Sequence, residues 1–555
     1  MRCEASPRQR IVSLWFPELA TDRLERLERG ASWRSRGADP VPRVVVAARR
    51  GADRIVALNA PARALGVTAD EPLADARARH PALQSDAQAA GEVAALLAAL
   101  ADWCDRYTPL VALDGEDGLL LDITGCAHLF AHDESAAPAG EERLPAGEHA
   151  LMRDCLRRLG DQGFAVRAGV ADTPAAAWAY ARHALARDVL SGEPSCGGLP
   201  PGAWREVLAP LPMAALRLED ATLDALGRVG LTQVADVIDR PRGPLAARFG
   251  RDLVRRIERL RGDAAEPISP RLAAPLLAAD RRFFEPISRE EDVRGVILGL
   301  AERLSLDLER RGEGGRAFEL ALFRVDGVVN RVTVGTSRAL RDPARVRGLF
   351  SEKLAALGDD FDAGFGFDLV RLCVLEVQRF EPAQADFAQT GEHAEALEAL
   401  IDRLGARLGI ARVARFLPCD THLPEIRQKL VPAAVVDTGA LVWCSQTPVA
   451  PDTPQLRPLR LIDPPEPVEA VAMVPEGPPL RFRWRRALYE VRACEGPERL
   501  VPPWWQEPRP APARDYYRVE DGEGRRFWLY REGLYGVDSA PQGPPPRWFL
   551  QGLYA

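Results

Sequence analysis

Residues 118–130 read GLLLDITGCAHLF, and this stretch decides the fold class. Gly118 to Ile123 is a short apolar run closed by Thr124 and Gly125, which predicts a buried strand ending in a turn. Asp117 stands just before it and Asp122 near its end, positions where aspartate commonly closes strands and turns. Working outward, Ile11 to Phe16 is a second such run, stopped by Pro17, and Ala165 to Ala171 a third. Val44 to Ala48 and Arg54 to Leu58 form a strand pair about a turn at Gly51 to Asp53. Thr21 to Gly30 and the alanine- and leucine-rich Glu92 to Trp103 read as helices. Strands and helices alternate in an α+β multidomain pattern.

With 555 residues, 46% apolar and 28% charged, the chain is too long for one core and has the composition of a soluble globular protein. The longest apolar stretches are shorter than the roughly 18–20 residues of a membrane span, so no membrane contact is expected. Met1 to Arg10 leads into no apolar signal core, and a cytoplasmic location is expected. Nine cysteines occur without a C-x-x-C pair, so neither a zinc knuckle nor a disulfide framework is indicated. His128 and His132 have helical i, i+4 spacing, but no third ligand is visible nearby and no metal is expected. The net charge of −7 restricts any nucleic-acid contact to a local basic patch.

Beyond residue 200 the pattern changes. Leu223 to Val237 and Arg251 to Arg261 are helical segments broken by Gly227, Gly230, Pro241 and Gly243. Residues 317–334 alternate as a hairpin, a helix follows near Val346 to Leu357, and Asp368 to Val377 adds a strand. Residues 431–480 are rich in proline and read as a linker. Residues 481–555 carry Trp484, Trp504, Trp505, Trp528 and Trp548 with Tyr516, Tyr517, Tyr530 and Tyr535, and read as a small β-rich module.

The stretch Arg43 to Pro81, which contains VVVAARRGADRIVALNAPARALGVTADEPLADARARHP, resembles the fingers of the Y-family translesion DNA polymerases. Gly118 to Phe130 resembles their second palm motif, and Arg167 to Ala181 (RAGVADTPAAAWAYA) the palm strand and helix that follow. The resemblance implies palm-like residues 10–30 and 86–200, fingers-like 31–85, a helical thumb over 205–270 with a degenerate helix-hairpin-helix, and a little finger over 278–380. It would be followed by a clamp-peptide segment and helix over 381–430, the linker 431–480 and an aromatic interaction module over 481–555.

Two-metal phosphoryl transfer needs carboxylates converging on both magnesium ions. The family places an aspartate on the first strand, where this chain has Phe16, with Glu18 the nearest acid. It places an Asp-Glu pair at the second motif, where this chain has Asp117 and Gly118. The Tyr-x-x-Arg nucleotide grip falls on Ala60 to Arg63, and the two palm lysines on Pro174 and Trp178, removing the point charges that would face phosphate. This is the pattern of the catalytically inactive ImuB-type branch, which implies no cofactor and an adaptor role in error-prone synthesis. The rival expectations are an active polymerase using Glu18 and Asp117, and a stand-alone module for damaged DNA.

The thumb hairpin near Leu218 to Thr222 (LEDAT) lacks glycine, which weakens a backbone phosphate grip, though Gly230 and Leu231 fit the next turn. Arg324, Arg331, Arg338, Arg341, Arg345 and Arg347 form a run suited to weak contact with the DNA backbone. Gln384, Asp386 and Phe387 resemble the peptide by which polymerases dock on the sliding clamp. Trp504, Trp505, Tyr516, Tyr517, Trp528 and Trp548 are candidate partner-binding anchors, being residue types of binding hot spots. The resemblance implies the sliding clamp, an ImuA-type RecA-like accessory protein and a C-family error-prone polymerase subunit as partners.

Overall fold

The computed structural model describes residues 9–37, 40–49, 51–130, 144–185, 196–358, 362–380, 390–419, 421–435, 457–473, 477–501, 512–533 and 546–554. The chain divides into two compact units, residues 1–384 and 385–555.

In the first unit the strands run in the order β1 (Ile11–Trp15), β2 (Arg43–Arg49), β3 (Ala52–Leu58), β4 (Gln84–Ala87), β5 (Val111–Asp114), β6 (Gly118–Asp122), β7 (Arg167–Ala171) and β8 (Cys196–Gly198). Five of them make one sheet in the order β5-β6-β1-β7-β8. β1 lies between two antiparallel partners, which explains an apolar run that does not alternate with polar residues. Its alternation instead separates two cores, as a period of two requires. Val12 and Leu14 pack with Leu97, Leu100, Leu151 and Leu156, from helices Ala90–Cys104 and Ala146–Asp161. Ile11 faces Ala176 of helix Pro174–Ala179 and Leu253 and Ile257 of helix Arg251–Arg261. β2, β3 and β4 form a separate three-stranded sheet closed over Val44, Ile55, Leu58 and Ala62.

The segment Leu223 to Val237 is broken into short helices at its glycines, as the sequence pattern indicated. Helix Asp220–Gly227 stops, Gly230 takes a φ of 77°, and a short helix resumes at Ala235–Ile238. The positive φ suits glycine and turns the chain between them. β9 (Leu277–Ile287), β10 (Glu313–Arg324), β11 (Val329–Leu340) and β12 (Phe367–Arg379) form a four-stranded sheet in the order β11-β10-β12-β9, with helices Glu290–Arg311 and Pro343–Leu357 packed on it.

The second unit holds helix Thr390–Leu408 and a hairpin of β13 (Ala414–Pro418) and β14 (Gln428–Pro432). The strands β15 (Arg460–Ala472), β16 (Pro479–Trp484), β17 (Ala487–Leu500), β18 (Arg514–Asp521), β19 (Arg526–Glu532) and β20 (Arg547–Leu553) close into a barrel. This corrects the linker expected over 431–480, because β15 and the start of β16 lie within it. The prolines misled for a physical reason. Pro464 and Pro465 occupy the irregularity where β15 slips register against β20 between Leu461 and Glu466, and Pro479 opens β16. Both are places where a missing N–H costs the ladder little.

The barrel also corrects the aromatic anchors. Tyr516 and Tyr517 are 1% exposed, Trp528 2% and Trp548 6%. Tyr517 and Trp548 point inward with Phe482, Phe527 and Leu529. Tyr516, Trp528 and Tyr530 lie with Leu500 under Leu423 from the segment between β13 and β14. They are core, and Trp504 and Trp505 lie outside the described residues. Deeper still, Arg531 donates to Asp515 at 2.6 Å with both side chains at most 1% exposed, and Arg499 donates to the same carboxylate at 2.7 Å.

Candidate functional site

The edge of the five-stranded sheet where β1 ends is the candidate centre. Trp15 stands opposite Gly118 on β6 and Arg167 on β7. The Phe16 amide donates to the Asp117 carbonyl at 2.8 Å, fixing the two expected motifs side by side. Phe16 itself is buried, edge-on to Phe164 at 6.1 Å between ring centres, so it packs the core.

Gly118 has no room for an acid. A Cβ there would lie 2.9 Å from the Asp114 carbonyl oxygen and 3.2 Å from the Arg182 guanidinium. Asp117 is already engaged on both oxygens, accepting from Trp15 Nε1 at 2.8 Å and from Arg182 at 2.7 Å. Arg182 sits on a π-helical turn, Tyr180–Ala184, four residues after Trp178. Its guanidinium lies 5.0 Å from the Trp15 ring centre and 4.9 Å from that of Trp178. Arg217 also lies 4.6 Å from the Trp178 ring centre and pairs with Asp114 at 2.5 Å. Arg167 covers Trp15 at 5.1 Å.

Arginines and tryptophans therefore surround the carboxylates. Burial holds the Arg182 guanidinium below its usual range; Asp117 and Asp114 oppose the shift, while the like charge of Arg217 adds to it. Arg167 is held down in the same way by burial and by Arg63. A magnesium pair needs several carboxylate oxygens facing one space at about 2.0–2.1 Å from each ion. The residues present do not fit such a pair: Asp117 is bonded on both oxygens, Asp114 carries Arg217, and guanidinium charge stands where metal charge would have to be.

Glu18, the other acid the rival reading needs, is also taken. It is buried, accepts from Arg34 at 3.2 Å and lies 3.7 Å from Arg63. Arg34 also holds Asp22 at 2.7 Å, yet burial pushes the Asp22 carboxyl up to about 6 against that pull. Ala60 and Arg63 lie on a short helix capped by Asn59, and Pro174 and Trp178 on one capped by Thr173. Pro174 is buried in the first helical turn, where its missing N–H is tolerated.

The arginine run of the four-stranded sheet does not form a free basic face. Arg324 is paired with Asp326 and Asp362, and Arg331 with Glu319 and Asp105. Arg341 donates to the Glu313 carbonyl and stacks on Phe380. Arg338 and Arg347 are exposed and Arg345 half-buried. Arg331 is held in a seam. Asp105 and Arg106, just after helix Ala90–Cys104, meet β11 and β12, where Arg106 pairs with Asp368 at 2.8 Å and Arg371 donates to the Asp105 carbonyl at 2.7 Å. Arg158 joins Asp368 at 2.5 Å.

The clamp-peptide residues Gln384, Asp386 and Phe387 lie outside the described residues, as does His132. His128 sits on a 3-10 turn, Ala127–Phe130. Among the described residues no group of three His, Cys, Asp or Glu side chains is placed to hold a metal, and no helix is long and apolar enough to cross a membrane. Arg182, Arg217 and Trp15 were missed by sequence reasoning. The i, i+4 spacing of Trp178 and Arg182 was the available signal, since it sets the two on one helix face.

Residues 39–182 match the impB/mucB/samB family, and residues 277–391 match the impB/mucB/samB family C-terminal domain. Protein ImuB of Caulobacter vibrioides (strain NA1000 / CB15N) is 39% identical over 500 residues, 88% of this chain and 100% of that protein. The same figures hold for Protein ImuB of Caulobacter vibrioides (strain ATCC 19089 / CIP 103742 / CB 15). DNA polymerase IV of the latter strain is 25% identical over 312 residues, 56% of this chain and 71% of that protein.

Proposed function

The chain belongs to the ImuB family of impB/mucB/samB proteins, and from that premise we propose that it is a non-catalytic polymerase homologue. In this reading it serves as a cytoplasmic adaptor in error-prone synthesis induced by DNA damage. It links the sliding clamp, an ImuA-type RecA-like protein and a C-family polymerase subunit, and holds DNA weakly through the backbone. The observation that carries the reading is Gly118, whose Cβ position lies 2.9 Å from the Asp114 carbonyl and 3.2 Å from Arg182. An acid cannot be accommodated there without moving the arginine that neutralises Asp117. The active-polymerase alternative would have to free Glu18 from Arg34 and Asp117 from Arg182 before either could meet a metal.

An adaptor works by raising the local concentration of what it tethers, to about millimolar for a short flexible connection. The clamp contact is assigned to Gln384, Asp386 and Phe387 on their resemblance to clamp-binding peptides. The test mixes the purified chain with clamp, accessory protein and polymerase subunit, and follows complex formation by gel filtration. One complex containing the chain is expected. Gln384→Ala with Phe387→Ala should cost about 2 kcal/mol, roughly thirtyfold, in clamp affinity. Failure of the wild-type chain to join any of the three would refute the adaptor role.

A further inference from the structure

The barrel covers one of its outer faces and leaves another open. On β18, β19 and β20 the outward aromatics lie under Leu423, and Glu425 clamps that cover by accepting from Arg514 at 2.5 Å and from Gln551 at 2.8 Å. Leu500 at the far end of β17 also lies under Leu423, but no described residue covers β15, β16 and the part of β17 that pairs with β16 in this way. There the inward side chains Val468, Ala470, Phe482, Trp484 and Tyr489 belong to the barrel core. Their outward neighbours are set by register: Glu469 stands opposite Arg483, which faces Leu488, and Val471 opposite Arg481, which faces Glu490.

This face combines two signals. Val471, Met473, Leu480 and Leu488 are each 50–55% exposed, more apolar surface than a finished outer face needs. Around them stand Arg481, Arg483, Arg486 and Arg492, all exposed. Arg483 reaches only Glu469, at 3.6 Å, and Arg481, Arg486 and Arg492 have no carboxylate partner among the described residues. The hairpin between β16 and β17 turns on Arg485 and Arg486 at φ values of 48° and 72°. Such a two-residue turn ordinarily takes Asn-Gly; here Arg485 pairs with Glu466, and Arg486 beside it is exposed without a carboxylate partner among the described residues.

Resting on the adaptor reading, we infer that the outer face of β15, β16 and β17 docks an acidic segment of a partner protein that also brings apolar side chains. Charge complementarity selects the acid: Arg481, Arg486 and Arg492 have no carboxylate partner among the described residues of a chain whose net charge is −7. The interleaving selects protein over nucleic acid, because Glu469 and Glu490 within the face repel phosphates and half-exposed Val471 and Leu488 gain nothing from them. An interface of arginine around an apolar centre is the composition of protein-binding patches.

The test uses the full chain with two sets of variants, Arg481→Glu/Arg486→Glu/Arg492→Glu and Val471→Ser/Leu488→Ser. Circular dichroism and thermal melting serve as folding controls. Each is titrated against the accessory protein, the polymerase subunit and a single-stranded oligonucleotide. The wild type is expected to bind at least one of the proteins, more weakly as salt rises, and each set to weaken that binding at least tenfold. Undiminished capture by both sets overturns the inference while leaving the adaptor role standing. Loss of oligonucleotide binding alone in the charge-reversed set overturns it in favour of a nucleic-acid face. If the wild type binds neither protein, the adaptor role itself fails and the inference falls with it.

Discussion

The end of β1 and the outer face of β15, β16 and β17 both concentrate arginine, and they use it in opposite ways. At the sheet edge Arg182 and Arg217 turn onto Asp117, Asp114 and the tryptophan rings, so their charge is spent inside the molecule. On the barrel Arg481, Arg486 and Arg492 are exposed and have no carboxylate partner among the described residues. A guanidinium that has its partners within the fold neutralises and rigidifies, whereas one that lacks them is available to another molecule. The comparison teaches that arginine content says little until pairing is known. The run from Arg324 to Arg347 makes the same point, since it looks like a DNA face in sequence, yet Arg324, Arg331 and Arg341 are bound to acids or carbonyls within the fold.

If inward arginines depend on their carboxylates, removing one partner deep in the fold should have the largest effect. Asp515→Ala leaves the Arg531 guanidinium buried without its partner carboxylate, and should destabilise the barrel by about 3–5 kcal/mol. Denaturant unfolding of the full chain checks this, and a loss below about 1 kcal/mol would break the inward half of the comparison. Next comes Gly118→Glu, the change that restores an acid to the motif. The Cβ meets the Asp114 carbonyl at 2.9 Å, so a loss of about 1–3 kcal/mol is expected from overpacking. A neutral or stabilised variant would show that the site has room after all.

Acid should act on the barrel in a defined window. Burial pushes the Asp515 carboxyl up, but hydrogen bonds from Arg499 and Arg531 outweigh it and hold the group below the usual range. Glu425 is likewise held down, by its hydrogen bonds and by Arg514, against its burial. Carboxylates depressed in the folded state contribute stability above their unfolded values, about 3.9 for Asp and 4.3 for Glu, and lose it as pH falls through the folded values. The barrel's unfolding midpoint should therefore resist acid down to about pH 4 and drop below it. A steady decline starting near neutrality would contradict these pairings. The smallest effect belongs to the outward arginines: Arg492→Glu should change stability by no more than about 0.5 kcal/mol, as at other surface sites.

In the five-stranded sheet β1, β6 and β7 were legible because they are short apolar runs with sharp stops such as Pro17 and Gly125, and the central position of β1 needs both faces apolar. The short edge strands β5 and β8 gave no such signal. The barrel was half legible. Its aromatic strands β18 and β19 announce themselves, but β15 was hidden by prolines that sit at a register slip. Burial of Tyr516 and Trp528 was hidden too, because their cover, Leu423, is about a hundred residues earlier in the chain. At the candidate centre the absence of a carboxylate at Phe16 and Gly118 could be read directly from the sequence. What replaced the carboxylate could not, since Arg182 and Arg217 come from a π turn and a left-handed residue that carry no motif.

The central claim is that this centre is filled by arginine and cannot assemble a magnesium pair. The most direct measurement is primer extension by the purified full chain on a primed template, with protein in excess over DNA and with magnesium or manganese supplied. The account predicts no added nucleotide with either metal, for wild type and Asp117→Ala alike. Metal-dependent extension by the wild type that disappears in Asp117→Ala would contradict it.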